Sequence, residues 1–219
     1  MLVGGGGVGV EVYSRWFLAV FFVVVAVFYT VTILAKKRGA GGSSPVTFGP
    51  RGSRHWLIHT TFRVFRVLIL IVCVVRLPFP QLDTYLIPLT PLWQPAIVLT
   101  GNALMLISFA GLISLHGVMG SHWRSGIPAG ETHPLITTGA YARSRNPMFL
   151  LIQTAQFGFF LSLPSVFTLI CLVVGVAAIH AQERLEERHL EAAHGVEYLR
   201  YKERVPRWLF RRSDGPSHS

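Results

Sequence analysis

The sequence predicts an all-α integral membrane protein with about five transmembrane helices, the last two a tight hairpin, followed by a cytosolic C-terminal amphipathic helix. Three observations predict it. Apolar residues make up 51% of the 219-residue chain and its mean hydropathy is +0.49, above what a soluble 24.3 kDa domain needs. Nearly uncharged runs recur at a length of about 20 residues, which as helix crosses a hydrocarbon core of roughly 30 Å. Finally, 20 Lys and Arg against 10 Asp and Glu give a formal net charge of +10, and the basic residues cluster between the apolar runs. That placement fits cytoplasmic loops and their attraction to anionic headgroups. A nucleic-acid reader would carry its basic residues on soluble elements with polar surroundings, so no nucleic-acid partner is expected.

Residues 1–15 are glycine-rich and are expected to form a flexible N-terminus; Gly4 to Gly7 have no preceding strand, so they are no nucleotide loop. Trp16 to Ala35 is the clearest span, uncharged and closed by Lys36, Lys37 and Arg38. It lacks the basic start, short apolar core and small-residue cleavage site of a signal peptide, so it is expected to be retained. Gly39 to Arg54 reads as a loop, and Trp56 to Leu77 as a second span carrying Arg63 and Arg66 three residues apart on one face. Pro78, Pro80, Pro88 and Pro91 confine the next segment to a short irregular loop with Asp83 as its only acid. Leu92 to Leu115 is the third span, so residues 16–115 hold three transmembrane helices.

Residues 116–210 form the expected chemical core. His116 to Pro147 is polar enough to leave the membrane. Residues 147–181 are almost uncharged and too long for one span, and Pro164 marks the bend of a helical hairpin whose backbone satisfies itself in lipid. From Gln182 charge returns, with Leu185, Leu190, Tyr198 and Tyr201 spaced as on an amphipathic helix continuing the last span. Residues 211–219 are a tail. Five crossings put the three basic regions, Lys36 to Arg54, Arg124 to Arg145 and the tail, on the cytosolic side, with the N-terminus and the Asp83 loop outside; six would follow if the second or third run divides differently. Cys73 and Cys171 sit in apolar runs and lack zinc spacing, so neither a disulfide nor a metal site is expected.

An ordered set of motifs flanks the hairpin. Gly120-Ser-His-Trp123 comes first, then His133-Pro-Leu135-Ile-Thr-Thr-Gly139-Ala-Tyr141 and Arg145-Asn-Pro-Met148. Glu186-Glu187, Gly195-Val-Glu-Tyr198, Tyr201 and Val205-Pro206 follow it. Over roughly residues 115 to 210 this set resembles the isoprenylcysteine carboxyl methyltransferase family and its phospholipid methyltransferase relatives. The resemblance implies that loop and tail meet at the cytosolic membrane face to enclose S-adenosylmethionine, while a lipidic or small hydrophobic methyl acceptor enters sideways from the membrane lipids. It implies catalytic roles for Arg145 and Asn146, and cofactor contacts from His133, Leu135, Gly139, Tyr141, Glu186, Glu187 and Tyr198. Arg63, Arg66 and Tyr201 are the expected substrate contacts.

The residue types suit that chemistry. Methyl transfer is an in-line displacement, for which protein supplies positioning and electrostatics. A cofactor with an amine, a carboxylate and a sulfonium calls for acids, cationic donors and an apolar shelf. Arg145 offers a fork to a carboxylate. The family's usual Arg-His-Pro is Arg145-Asn146-Pro147 here, and Asn takes no proton near neutrality, which favours a carboxylate or thiolate acceptor over a protonated amine.

Plainer readings stand beside these. Arg63 and Arg66 can snorkel to the interface. Glu183, Glu186 and Glu187 can pair along the helix with Arg184 and Arg188, and Tyr198 and Tyr201 can anchor a helix at the headgroups. Glu187→Gln is expected to weaken cofactor binding with little effect on folding, because an exposed tail carboxylate contributes little to stability alone. His116, His122 and His133 lack the spacing of a metal site. Two other functions stay open: a reductase resembling the sterol reductases and using a nicotinamide cofactor, and a non-catalytic membrane scaffold. The carboxyl terminus lacks the cysteine box of a prenylated tail, so any lipid chemistry concerns a substrate. With no appended soluble domain in the sequence, a bacterial inner membrane is the expected location, and the oligomeric state is open.

Overall fold

A computed structural model describes residues 6–39, 50–119 and 135–209. It is all-α among the described residues, with one isolated β-bridge between Pro88 and Ser165 and no sheet. Helix α1 covers Gly6–Gly39, α2 Arg54–Val75, α3 Leu82–Tyr85, α4 Pro95–Met119, α5 Pro147–Ser162, α6 Val166–His194 and α7 Val196–Arg204. Four of these, α1, α2, α4 and α6, contain stretches long and apolar enough to cross a membrane. The protein is therefore an integral membrane protein. Helix α5 is apolar but only 16 residues long, about 24 Å at a rise of 1.5 Å per residue.

The expected flexible N-terminus is replaced from Gly6 onward by α1. Its first turns are held by side chains that apolar counting overlooks. Buried Ser14 donates to the Ser162 carbonyl at 2.7 Å, and Arg15 Nε donates to Asp83 at 2.8 Å. Helix α2 starts where Ser53 Oγ accepts the Trp56 N–H, a side-chain cap for an otherwise orphaned donor. It stops at Arg76, whose side chain is fully buried and reaches Asp83 at 2.5 Å.

The proline-rich link after α2 is more ordered than an irregular loop. It folds as α3 and a 3-10 turn over Thr90–Leu92, with proline in the turn's first positions, where a missing N–H breaks no bond. The Leu89 N–H donates to the Pro164 carbonyl, Val166 N–H to Ile87 and Trp93 Nε1 to Pro164 again. The link thus closes over the break between α5 and α6. That break falls at 163–165, where the sequence places a bend, and Ser165 and Thr168 form a capping box that restarts the helix.

Helix α4 packs most extensively against α5. A methyl group at Gly101 would lie 2.6 Å from the Gly158 carbonyl oxygen, and one at Gly158 would lie 2.7 Å from that of Gly101. Glycine on both sides lets the two backbones touch, the small-residue mode by which helices associate in lipid. Leu18, Phe21, Cys73, Met105, Phe159 and Leu163 form the core around that contact. The single amphipathic helix expected after the last span is divided: α6 runs to His194, Gly195 takes φ 52°, and α7 sets off anew. A side chain would strain that left-handed backbone, so the direction change belongs to glycine.

Candidate active site

The site is built where the start of α5, the last three turns of α6, α7 and the segment after α7 converge. Two chain segments far apart in sequence lie against each other there. The Arg145 N–H donates to the Pro206 carbonyl at 3.0 Å, and Ser144 Oγ donates to the Arg207 carbonyl at 3.0 Å. Arg145 completes the junction with its side chain. Nη1 donates to the carbonyls of Lys202 and Val205 at 2.9 and 3.1 Å, while Nε and Nη2 both reach Glu187 Oε1, at 3.2 and 2.9 Å.

Charge continues beyond that pair. Glu187 Oε2 accepts from Arg207 Nη2 at 2.6 Å, and Arg207 Nε lies 2.7 Å from Glu183 Oε1. Asn146 precedes Pro147 at the helix start, and its Nδ2 reaches Glu183 Oε1 at 3.5 Å. Glu183 and Glu187, one turn apart on α6, thus face Arg145, Asn146 and Arg207 across the junction. The helix-surface pairing with Arg184 and Arg188 is not what the structure shows, since both of those arginines are exposed and make no salt bridge among the described residues. Glu187 is buried at 6% exposure, so the expectation that its loss would spare folding is corrected: it pairs with the buried Arg145 guanidinium and with the half-exposed Arg207.

Beside the charges lies an aromatic shelf. Tyr198, Tyr201 and Val205 are buried together, with Leu135 and Leu190 packed on them. Tyr201 donates its hydroxyl to the Tyr141 carbonyl at 2.7 Å, tying α7 to the 3-10 turn Gly139–Ala142, which Gly139 opens at φ 63°. Burial pushes the Tyr201 phenol up to about 12. Burial and then the neighbouring Glu186 charge raise Tyr141, and burial and then Glu187 raise Tyr198. All three phenols therefore stay protonated across the physiological range, and Tyr201 donates from its hydroxyl.

The structure thus brings together Leu135, Gly139, Tyr141, Arg145, Asn146, Glu186, Glu187, Tyr198 and Tyr201. His133, and Gly120 to Trp123, lie outside the described residues. Arg63 and Arg66 stand apart, on exposed positions of α2. Arg66 is twelve residues into that helix, about 18 Å from its start, with its guanidinium 5.3 Å from the centroid of the Tyr29 ring on α1. Sequence reading missed Arg207, which bridges both glutamates, and Ser144. The signal for Arg207 was available: it directly follows the Val205-Pro206 motif and faces two acids four residues apart.

S-adenosylmethionine presents an ammonium and ribose hydroxyls that need acceptors, and its carboxylate needs cations. Buried Glu183 Oε2 at the junction, and Gln182 Oε1 on the preceding residue of α6, have no hydrogen-bond partner among the described residues, leaving two acceptors unused. The side chains present therefore fit such a group. No cluster of His, Cys, Asp and Glu suited to a metal ion occurs among the described residues.

Fold and junction together define an integral membrane protein with a buried charged junction between its motif segments. Residues 96–197 match the family model described as phospholipid methyltransferase. No curated protein and no solved structure matches the chain. The match runs from the start of α4 into α7, so it contains Arg145, Asn146, Glu183, Glu186 and Glu187. The protein is an S-adenosylmethionine-dependent methyltransferase acting on a membrane-associated or hydrophobic substrate. The reductase and scaffold readings give way to it.

Proposed function

We propose that methyl transfer takes place at the junction of 141–146, the end of α6 and α7, and that the acceptor is a lipidic carboxylate or thiol delivered from the membrane. The observation that carries the location is the double tie of Arg145 to Glu187 and to the Lys202 and Val205 carbonyls, which joins the two motif segments into one buried unit. When bound, S-adenosylmethionine supplies a methyl carbon activated by a positive sulfur. The chain's own residues do the rest. Glu183 and Gln182, each with a vacant acceptor, and Glu186 receive the amine and ribose hydroxyls; Leu135, Tyr141 and Tyr198 form the apolar shelf with Gly139 at its edge. His133 is assigned to the same cofactor by its place in the motif. Arg145 acts as a positioning residue, since its guanidinium is already engaged on three partners.

Asn146 supports the choice of acceptor. It is buried at the start of α5 and takes no proton near neutrality, so an acceptor that arrives as an anion suits it best. Arg63 and Arg66, exposed on a membrane-spanning helix, are costly in lipid without an anion beside them, and they are assigned to the acceptor's acidic group as it approaches. Tyr201 is assigned to the acceptor side through the wall it builds with Tyr141. Five crossings, with α5 paired to α6 as a hairpin, place the start of α5, the end of α6 and α7 in the cytosol, consistent with the basic segments there.

The test is incubation of the purified protein with methyl-labelled cofactor and extracted membrane lipid. Label in the lipid fraction that mild base releases as methanol, or that reductive desulfurisation removes, is expected for an ester or thioether. Base-stable label on an amine headgroup would overturn the acceptor assignment.

A further inference from the structure

A concavity opens between the first turns of α2 and the flank of α6 that carries Arg184 and Arg188, two residues that also line the neighbouring hollow beside Glu187 and Arg207. It measures about 180 Å³ and is lined by Arg54, Ile58, Ala181, Arg184, Leu185 and Arg188. Its charged groups are three arginines and no acid. None of the three makes a hydrogen bond or salt bridge with a described residue, whereas Arg76, Arg145 and Arg207 elsewhere in the protein are all paired. Three guanidinium groups gathered in one cleft with no salt-bridged partner repel one another, although Glu191 lies within electrostatic reach of Arg188, and an anion with several acceptor oxygens relieves that repulsion. Arg54 also begins α2, whose free N–H groups favour negative charge in the same place.

The remaining lining is apolar. Ile58 lies one turn along α2 from Arg54, and Ala181 and Leu185 lie on α6 beside Arg184, so cationic and apolar surfaces meet within one cleft. Both helices belong to membrane-spanning stretches, so the apolar side continues toward hydrocarbon. A small soluble anion would leave that surface unused.

We infer that the cleft between α2 and α6 is a binding site for an anionic phospholipid, its phosphate held by Arg54, Arg184 and Arg188 and its chain laid along Ile58 and Leu185. Basic pockets between helices near the cytosolic face recognise anionic headgroups in this way. The site is separate from the methyl-transfer reading and is tested without turnover, so either can fail alone.

The experiment measures binding of short-chain phosphatidylglycerol, phosphatidylcholine of the same chain length and inorganic phosphate to the full chain in neutral detergent. Phosphatidylglycerol is expected to bind roughly tenfold more tightly than phosphatidylcholine, about the worth of one charge-assisted hydrogen bond. Arg184→Gln with Arg188→Gln should abolish that preference, as should Arg54→Gln alone from the other wall. Arg200→Gln, which removes the same charge from exposed α7, should leave the preference intact. Equal affinity for the two lipids, a preference surviving in both variants, or inorganic phosphate binding as tightly as phosphatidylglycerol would overturn the assignment.

Discussion

Arg145 donates from both Nε and Nη2 to a single carboxylate oxygen of Glu187, 42 residues later in the chain, and each side chain is only 8% exposed. A pair this dry is expensive to break on one side, because the survivor remains buried with its charge. Arg145→Ala should therefore destabilise the protein by about 3 kcal/mol and also release the Lys202 and Val205 carbonyls. Glu187→Gln should behave similarly, as it uncouples Arg207 as well. Thermal unfolding in detergent checks both. A melting temperature within a degree of wild type for either variant would show that the junction is held by something else.

The other end of the helices depends on Asp83. Burial pushes its carboxyl up, but hydrogen bonds from Arg76 and Arg15, and then their charges, bring it below the usual carboxylate range. Because the folded value is depressed, this stabilisation is fully present above the unfolded value and is lost as pH falls through the folded one. Stability should thus decline below about pH 4. Asp83→Asn should remove that part of the decline and destabilise the protein at neutral pH, since Arg76 is fully buried. Melting curves from pH 3 to 7 for both proteins make the comparison, and parallel profiles would count against it.

Helix packing gives a third prediction. Gly101→Ala puts a methyl 2.6 Å from the Gly158 carbonyl oxygen and 2.6 Å from the Ser162 nitrogen, both backbone atoms that cannot step aside. The cost should be about 2 kcal/mol, in the range of overpacked cores. Gly9→Ala, where nothing lies within 4 Å, serves as the control and should be neutral or slightly stabilising. Equal melting temperatures for the two variants would mean that α4 and α5 do not touch as described.

Tyr201→Phe isolates the wall of the site. It deletes one hydrogen bond to the Tyr141 carbonyl and leaves the ring in place. Stability should fall by about 1 kcal/mol. Hydrogen exchange of 139–142 should quicken while that of α4 stays unchanged. A uniform rise across the protein would point to global loosening in place of a local tie.

Much of the fold was legible because hydropathy and proline carry it. The uncharged runs became α1, α2, α4 and the α5–α6 pair of helices, and Pro164 marks their break. What escaped was set by single polar side chains. Ser14 and Arg15 extend α1 backwards through partners 148 and 68 residues away, a distance over which periodicity says nothing. Gly195 was visible as a residue, but only its positive φ shows that one amphipathic stretch becomes two helices. In the site, the motifs flagged Arg145, Glu187 and Tyr201 as important without saying to whom each is bonded. Arg145 and Glu187 turn out to be each other's partners, and the remaining bonds go to backbone carbonyls, which no side-chain pattern announces, and to Arg207, whose place after Val205-Pro206 was the one signal on offer.

The most direct test is calorimetric titration of S-adenosylhomocysteine into wild type and Glu186→Gln, a position that makes no salt bridge among the described residues. Glu186 lies beside Tyr141 on the shelf, so the change should weaken binding roughly tenfold while leaving the melting temperature unaltered. Wild-type affinity in Glu186→Gln would contradict the placement of the cofactor at this junction.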